Sequence, residues 1–221
     1  MTILPWMGCP MLPNAPKPSP FGAGPPAPGP EAVVGRWMRA LQAHDPETVG
    51  HCWRVRRHAL RLVVALGLGR GVRRQLALAA VLHDVGKVEV PRTVLQKPGR
   101  LTAEESLRVQ RHPAAGERLL AADVRDPVVL AAIRHHHERH DGTGYPDRLA
   151  GDTIPLAARL VAVADVYDAL RCRRLYKPAL PHVAAVQIIT QNSPGQFDPN
   201  ILDVFKQVAA RMEKIFKETP E

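Results

Sequence analysis

The chain has 221 residues, 45% of them hydrophobic, which is enough for one sizeable core and a tail. It carries no apolar run of about eighteen residues, which excludes a membrane-spanning helix, and its N-terminus lacks the basic and apolar regions of a secretion signal. A formal net charge of +9 suits an anionic partner, while scattered arginines without interleaved aromatics argue against a nucleic-acid polymer.

Residues 1 to 30 hold ten prolines and four glycines, so they are read as a disordered leader that neither propagates a helix nor packs a core. From Glu31 to the end, apolar positions recur at helical spacing. "DPETVGHCWRVRRHALRLVVALGL" starts with Asp45 as N-cap and Pro46 at the first helical position. Val55, Ala59, Leu62, Val63 and Leu66 form its apolar stripe, and Gly67 and Gly69 end it. "VRRQLALAAVLHDVG" predicts a second helix, stopped by Gly86. In "TAEESLRVQRH", Thr102 precedes Glu105 by three residues, a capping-box pattern. His112 is expected to close that helix, and Pro113 to break it or to start the next, which runs through Leu120. "DPVVLAAIRHHHE" and "PLAARLVAVADVYDALR" each begin at a proline. "HVAAVQIIT" and "DPNILDVFKQVAARMEKIF" complete the set. No segment alternates with period two, so the expected fold is all-α, a helical bundle with ligand-type residues from several helices facing one cavity.

Cys9, Cys52 and Cys172 are odd in number and show no metal-like spacing, which suits a reduced, cytoplasmic protein. The histidines are more informative. His83-Asp84 follows an apolar helix and precedes Gly86 and Lys87, placing an imidazole and a carboxylate at one helix end. Each oxygen of such a carboxylate can take one metal ion. Alone the pair also has a structural reading, as a satisfied core histidine beside an acid. The weight lies in the set. Glu47 and His51 share a helix face, His112 ends a segment, and His136 and His137 end another. Asp165 and Asp168 lie three apart in an otherwise apolar helix, where a carboxylate needs a partner. This donor set suits Fe, Mn or Zn in a centre of more than one metal.

"HDVGK", the later "HP", "HHERHDGTGYP", "IPLAARLVAVADVYDAL" and "RRLYK" together resemble the HD-GYP family. This is the subgroup of the HD metal-dependent phosphohydrolases that cleaves cyclic di-GMP. The resemblance runs from roughly Pro46 to Phe205. It implies an HD-superfamily helical bundle over residues 31–221 and a metal-dependent phosphodiesterase yielding pGpG or GMP. It implies two or three divalent ions, Fe or Mn, held by Glu47, His51, His83, Asp84, His112, His136, His137 and Asp165. Asp84 would bridge, Glu47 would serve a third ion, and Lys87 would reach a substrate phosphate or the attacking water. Gly144, Tyr145 and Pro146 match the signature tripeptide. Asp168, Arg174 and Lys177 match residues that contact the dinucleotide. His135 is read as a bystander, and His44, His58, His140 and His182 as surface or packing residues.

The chain departs from the family pattern at Arg171-Cys172, where a Thr-Ser pair is usual, and at Leu175, where a proline is usual. These changes leave open a related activity on another cyclic dinucleotide. A module that binds a diguanylate cyclase or other signalling protein without turnover is the third reading, and a homodimer is a further expected assembly. No sensory domain is expected ahead of the helical core, so regulation is expected from metal loading, oligomerisation, a partner or expression.

Overall fold

A computed structural model describes residues 29–172, 179–191 and 195–217. It bears out the all-α expectation: the described residues form helices and connecting turns, with no strand among them. The helices are α1 (Pro30–His44), α2 (Pro46–Ala65), α3 (Arg70–Leu82), α4 (Arg92–Leu95), α5 (Ala103–Val109), α6 (His112–Leu120), α7 (Pro127–His135), α8 (Leu156–Arg171), α9 (His182–Gln191) and α10 (Pro199–Lys217). Among the described residues, no helix is long and apolar enough to cross a membrane.

The centre of the bundle is α8. Ala158, Leu160, Val161, Val163, Ala164 and Tyr167 are all fully buried, so its apolar surface runs around most of the helix. It packs against α2, α7, α3, α9 and α10, and α2 in turn packs on α3, α10 and α1. The tail helix α10 buries Ile201, Phe205, Val208 and Met212, a stripe at helical spacing. By contrast, α5 buries none of its residues, and its start rests on local bonds. Glu105 N donates to Thr102 Oγ1 at 3.2 Å, and Thr102 N donates to Glu105 Oε2 at 2.7 Å, the expected capping box.

Three boundaries differ from the sequence reading. His112 opens α6 instead of closing α5, because α5 ends at Val109 and Pro113 suits a first turn. Asp45 precedes Pro46 as expected, but its side chain caps no backbone N–H; its carboxylate accepts from Thr48 Oγ1 at 2.5 Å. Gly86 does not stop α3. That helix ends at Leu82, and Gly86 lies inside a 3-10 turn, Val85–Glu89. What the position needs is close approach: a Cβ there would sit 1.9 Å from His112 O and 2.6 Å from Gly116 N. Backbone thus meets backbone where the 3-10 turn crosses α6.

Gly86→Ala should therefore cost about 3 kcal/mol or more in a urea melt, because neither obstructing atom can swing away. Gly71→Ala, in open space on the first turn of α3, should leave stability unchanged or raise it by up to about 1 kcal/mol.

Candidate metal centre

Three of the ligand-type histidines sit at helix ends and are oriented by the same device. His83 follows the last residue of α3, and its Nδ1 lies 2.8 Å from Ala80 O. His112 follows the end of α5, with Nδ1 2.7 Å from Val109 O. His136 follows the last residue of α7, with Nδ1 2.7 Å from Ile133 O. The carbonyls of a last helical turn lack intrahelical donors. Each imidazole three residues on supplies one from Nδ1–H, which leaves its Nε2 facing inward.

Those inward atoms form two clusters. His51, His83 and Asp84 make one, and His112, His136 and His137 the other; within each, the donor atoms lie within 4.8 Å of one another. Asp165 joins the first, with Oδ1 2.9 Å from His51 Nε2 and 4.0 Å from His83 Nε2. Asp84 stands between them. Its Oδ2 lies 3.4 Å from His83 Nε2 and 3.7 Å from His51 Nε2, while Oδ1 lies 3.1 Å from His112 Nε2. One carboxylate therefore presents an oxygen to each cluster. His51 Nε2 and His83 Nε2 are buried and make no hydrogen bond, despite the nearness of Asp165 to the former. Buried polar atoms without partners are rare, and imidazoles beside carboxylates are the donor set of a divalent transition metal. The residues present fit two such ions.

Electrostatics divides the clusters. Burial alone would push His51 and His83 down. The Asp165 and Asp168 carboxylates outweigh it at His51, and Asp84 with Cys52 outweighs it at His83, so both imidazoles stand above their ordinary value. Burial favours the neutral acid at Asp84 and Asp165, yet Lys87 and His83 hold Asp84, and His51 holds Asp165, well below the carboxylate range. In the other cluster, burial and then the neighbouring imidazoles keep His136 well below its ordinary value. His137 is pushed down to about 3 by burial and His112. His51 and His83 thus favour their protonated forms, while His136 and His137 favour their neutral ones.

Lys87 Nζ lies 2.6 Å from Asp84 Oδ2, at the edge of the centre. The Tyr145 ring stands 5.0 Å from that of His137. Burial and then the charges of Asp165 and Asp84 raise the Tyr145 hydroxyl's pKa. Gly144 is required by its own loop, since a Cβ would lie 2.4 Å from Arg139 N and 2.6 Å from Glu138 Cα. Asp147, just past the cis Tyr145–Pro146 bond, receives a fork from Arg134 at 2.6 and 2.9 Å. His135 Nε2 lies 2.8 Å from the same carboxylate. His135 is outside both clusters, as expected, but it is an anchor of the loop instead of a bystander.

Two expectations need correction. Asp168 does not face a ligand. It is fully buried behind His51, with Oδ2 2.7 Å from His51 Nδ1 and Arg54 Nε donating to Oδ1 at 2.9 Å. Glu47 is exposed on the first turn of α2, beside exposed Pro46 and Gly50, and joins neither cluster. Sharing a face with His51 does not bring it inward: in that turn Thr48 is the buried residue, and Glu47 stays exposed. Arg174 and Lys177 lie outside the described residues. The sequence reading passed over Arg54, which falls three residues after His51 on the same face of α2, and that spacing was the available signal. His58, read as packing, is fully buried and lies 3.7 Å from Asp168 Oδ1. The departures at Arg171 and Cys172 are buried too. Arg171 donates to Leu180 O at 2.8 Å, and Cys172 Sγ lies 3.3 Å from Asp168 Oδ2, so neither is an open ligand contact.

The sequence matches the HD domain family over residues 37–201. The chain belongs to the HD domain family. Its His83-Asp84 pair is the pair at the heart of the centre described above. It is 40% identical over 185 residues to the "Cyclic di-GMP phosphodiesterase response regulator RpfG" of Xanthomonas campestris, covering 83% of this chain and 49% of that protein. It is 36% identical over 174 residues to the "3'3'-cGAMP-specific phosphodiesterase 2" of Vibrio cholerae, covering 78% of this chain and 33% of that protein. The chain thus spans half or less of the length of these relatives. Among solved structures, the HD domain fold is similar to that of Bd1817, an "HDG"Y"P protein" of Bdellovibrio bacteriovorus. The TM-score is 0.62 at 21% identity, covering 82% of this chain and 61% of the other.

Metal loading should expel protons from the carboxylate-rich half, since His51 and His83 give up theirs to free Nε2. The raised pKa values set the sign: affinity increases as pH rises through neutrality and falls on acidification. Titration calorimetry with Mn(II) in buffers of different ionisation enthalpy should give a buffer-dependent heat. Asp84→Ala, which removes an oxygen from each cluster, should lower the affinity of both ions by about 100-fold or more.

Proposed function

We propose that this HD domain is a metal-dependent phosphodiesterase that hydrolyses cyclic di-GMP to pGpG or onward to GMP, with two ions of Fe or Mn as cofactors. The observation that carries the reading is the position of Asp84, one oxygen turned to each of two donor clusters. The printed names of the relatives supply the substrate class. Bound there, two divalent ions would acidify a water molecule and neutralise phosphoryl charge.

The chain's own residues do the rest. His51, His83 and Asp165 on one side, and His112, His136 and His137 on the other, hold their donor atoms in fixed orientation, so little rearrangement is needed on binding. Lys87 keeps a positive charge beside Asp84, where a substrate phosphate or the attacking water would stand. Tyr145 provides an aromatic wall next to His137. Arg174 and Lys177 are assigned to the second phosphate or a guanine edge on the strength of the family resemblance. Water attacks phosphorus in line with the 3′ oxygen. The P–O3′ bond breaks, the 3′ oxygen takes a proton, and the opened ring is pGpG.

A related specificity is the second reading, supported by the printed name of the cGAMP-specific relative. Manganese-loaded protein should be incubated with cyclic di-GMP, 3′3′-cyclic GMP-AMP and cyclic di-AMP, and the products separated by anion-exchange chromatography. Linear product is expected from cyclic di-GMP foremost, with turnover lowered at least about 1000-fold in the His83→Ala, Asp84→Ala double variant. Cleavage of cyclic GMP-AMP alone would establish the second reading, and no product from any of the three would end both.

A further inference from the structure

His51 is oriented differently from the other ligands. His83, His112 and His136 each place Nδ1 on a neutral carbonyl three residues earlier in the chain. His51 sits on the second turn of α2, where backbone carbonyls already have their helical donors, and its Nδ1 lies 2.7 Å from a carboxylate oxygen of Asp168 on α8. That carboxylate has no access to water and is itself clamped. Arg54 Nε donates to Oδ1 at 2.9 Å and Nη2 to Oδ2 at 3.3 Å. Arg54 Nη2 also lies 2.9 Å from Cys172 Sγ, and Cys172 Sγ lies 3.3 Å from Asp168 Oδ2. His58 closes the far side, 3.7 Å from Oδ1.

From this arrangement we infer that Asp168, clamped by Arg54, is a positioning residue of the metal centre, fixing His51 as an Nε2 donor and strengthening it. A carboxylate acceptor makes the imidazole a more basic ligand than a carbonyl does. The half-centre of His51, His83, Asp84 and Asp165 then combines one strengthened imidazole with two carboxylates. The other half has three plain imidazoles and a share of Asp84. The two positions therefore differ in affinity, and the His51 position is the tighter. Arg54 makes this workable because its fork takes both oxygens of a carboxylate that would otherwise be buried without a matching charge, and so holds it against His51. Cys172 extends the clamp from the end of α8, so the departure from the usual residues there falls on this support.

The inference rests on the metal-centre reading but not on the substrate, so its test reads binding instead of turnover. Mn(II) would be titrated into the metal-free 221-residue chain, with free Mn(II) followed by electron paramagnetic resonance. Two steps are expected, and His137→Ala should remove the weaker. Asp168→Asn, which keeps an acceptor but drops the charge, should weaken the tighter step about 10- to 100-fold and leave the other within about twofold. Arg54→Lys keeps the charge but loses the fork, and should weaken the same step by about 3- to 10-fold. In the zinc-loaded protein, the His51 Nδ1–H proton should resonate downfield of the other ligand histidines and move upfield in Asp168→Asn. Folded variants with unchanged steps and an unmoved resonance would overturn the inference. So would an Asp168→Asn chain that fails to fold while Arg54→Lys binds both ions as the wild type does, since the role would then be structural alone. A wild-type chain that binds no ion would overturn the metal-centre reading, and this inference with it.

Discussion

Buried negative charge is the constraint around which this molecule is arranged. Asp84, Asp165 and Asp168 lie where helices meet, all nearly or wholly out of water. A carboxylate in such a place must be neutralised or matched. Asp168 is matched permanently, by a guanidinium. Asp84 and Asp165 are matched by imidazoles that can exchange a proton for a metal, and Asp84 by the Lys87 ammonium as well. The protein thus tolerates its charged interior in two ways, one rigid and one exchangeable, and the exchangeable one is where the chemistry is assigned.

Backbone geometry makes this possible. Helices ending at the centre bring carbonyls that need donors, and the imidazoles that satisfy them acquire a fixed orientation at the same time. Gly86 sets the spacing. With no side chain at Gly86, the 3-10 turn that follows Asp84 can lie directly on the start of α6, which carries His112. This contact holds the bridging carboxylate near both clusters. The loop that follows His137 is fastened independently through Asp147, whose two oxygens are taken by Arg134 and His135.

Much of this was legible in the sequence because it is local. Helix starts follow from prolines and capping residues, and the Thr102–Glu105 box needs only four residues of context. His83, His136 and His137 stand at ends of apolar runs, so their positions could be read directly. Asp168 and Arg54 were not legible in the same way. Spacing places Asp168 about 60° around α8 from Asp165, which says that the two differ in direction but not what each meets. Its partners His51 and Arg54 lie 117 and 114 residues earlier. Glu47 failed for the opposite reason: its spacing to His51 was right, but the depth of the turn that carries it was a tertiary fact.

The same contrast bears on the order in which the centre takes shape. His83, His112 and His136 are set by carbonyls only three residues away, so their orientation arises with the ends of their own helices. His51 is set across most of the chain, and that contact closes only when α2 and α8 have docked. Three donors are therefore ready early and one is conditional. Binding at the His51 position acts as a readout of whether the two central helices have come together, and metal held there in turn resists their separation.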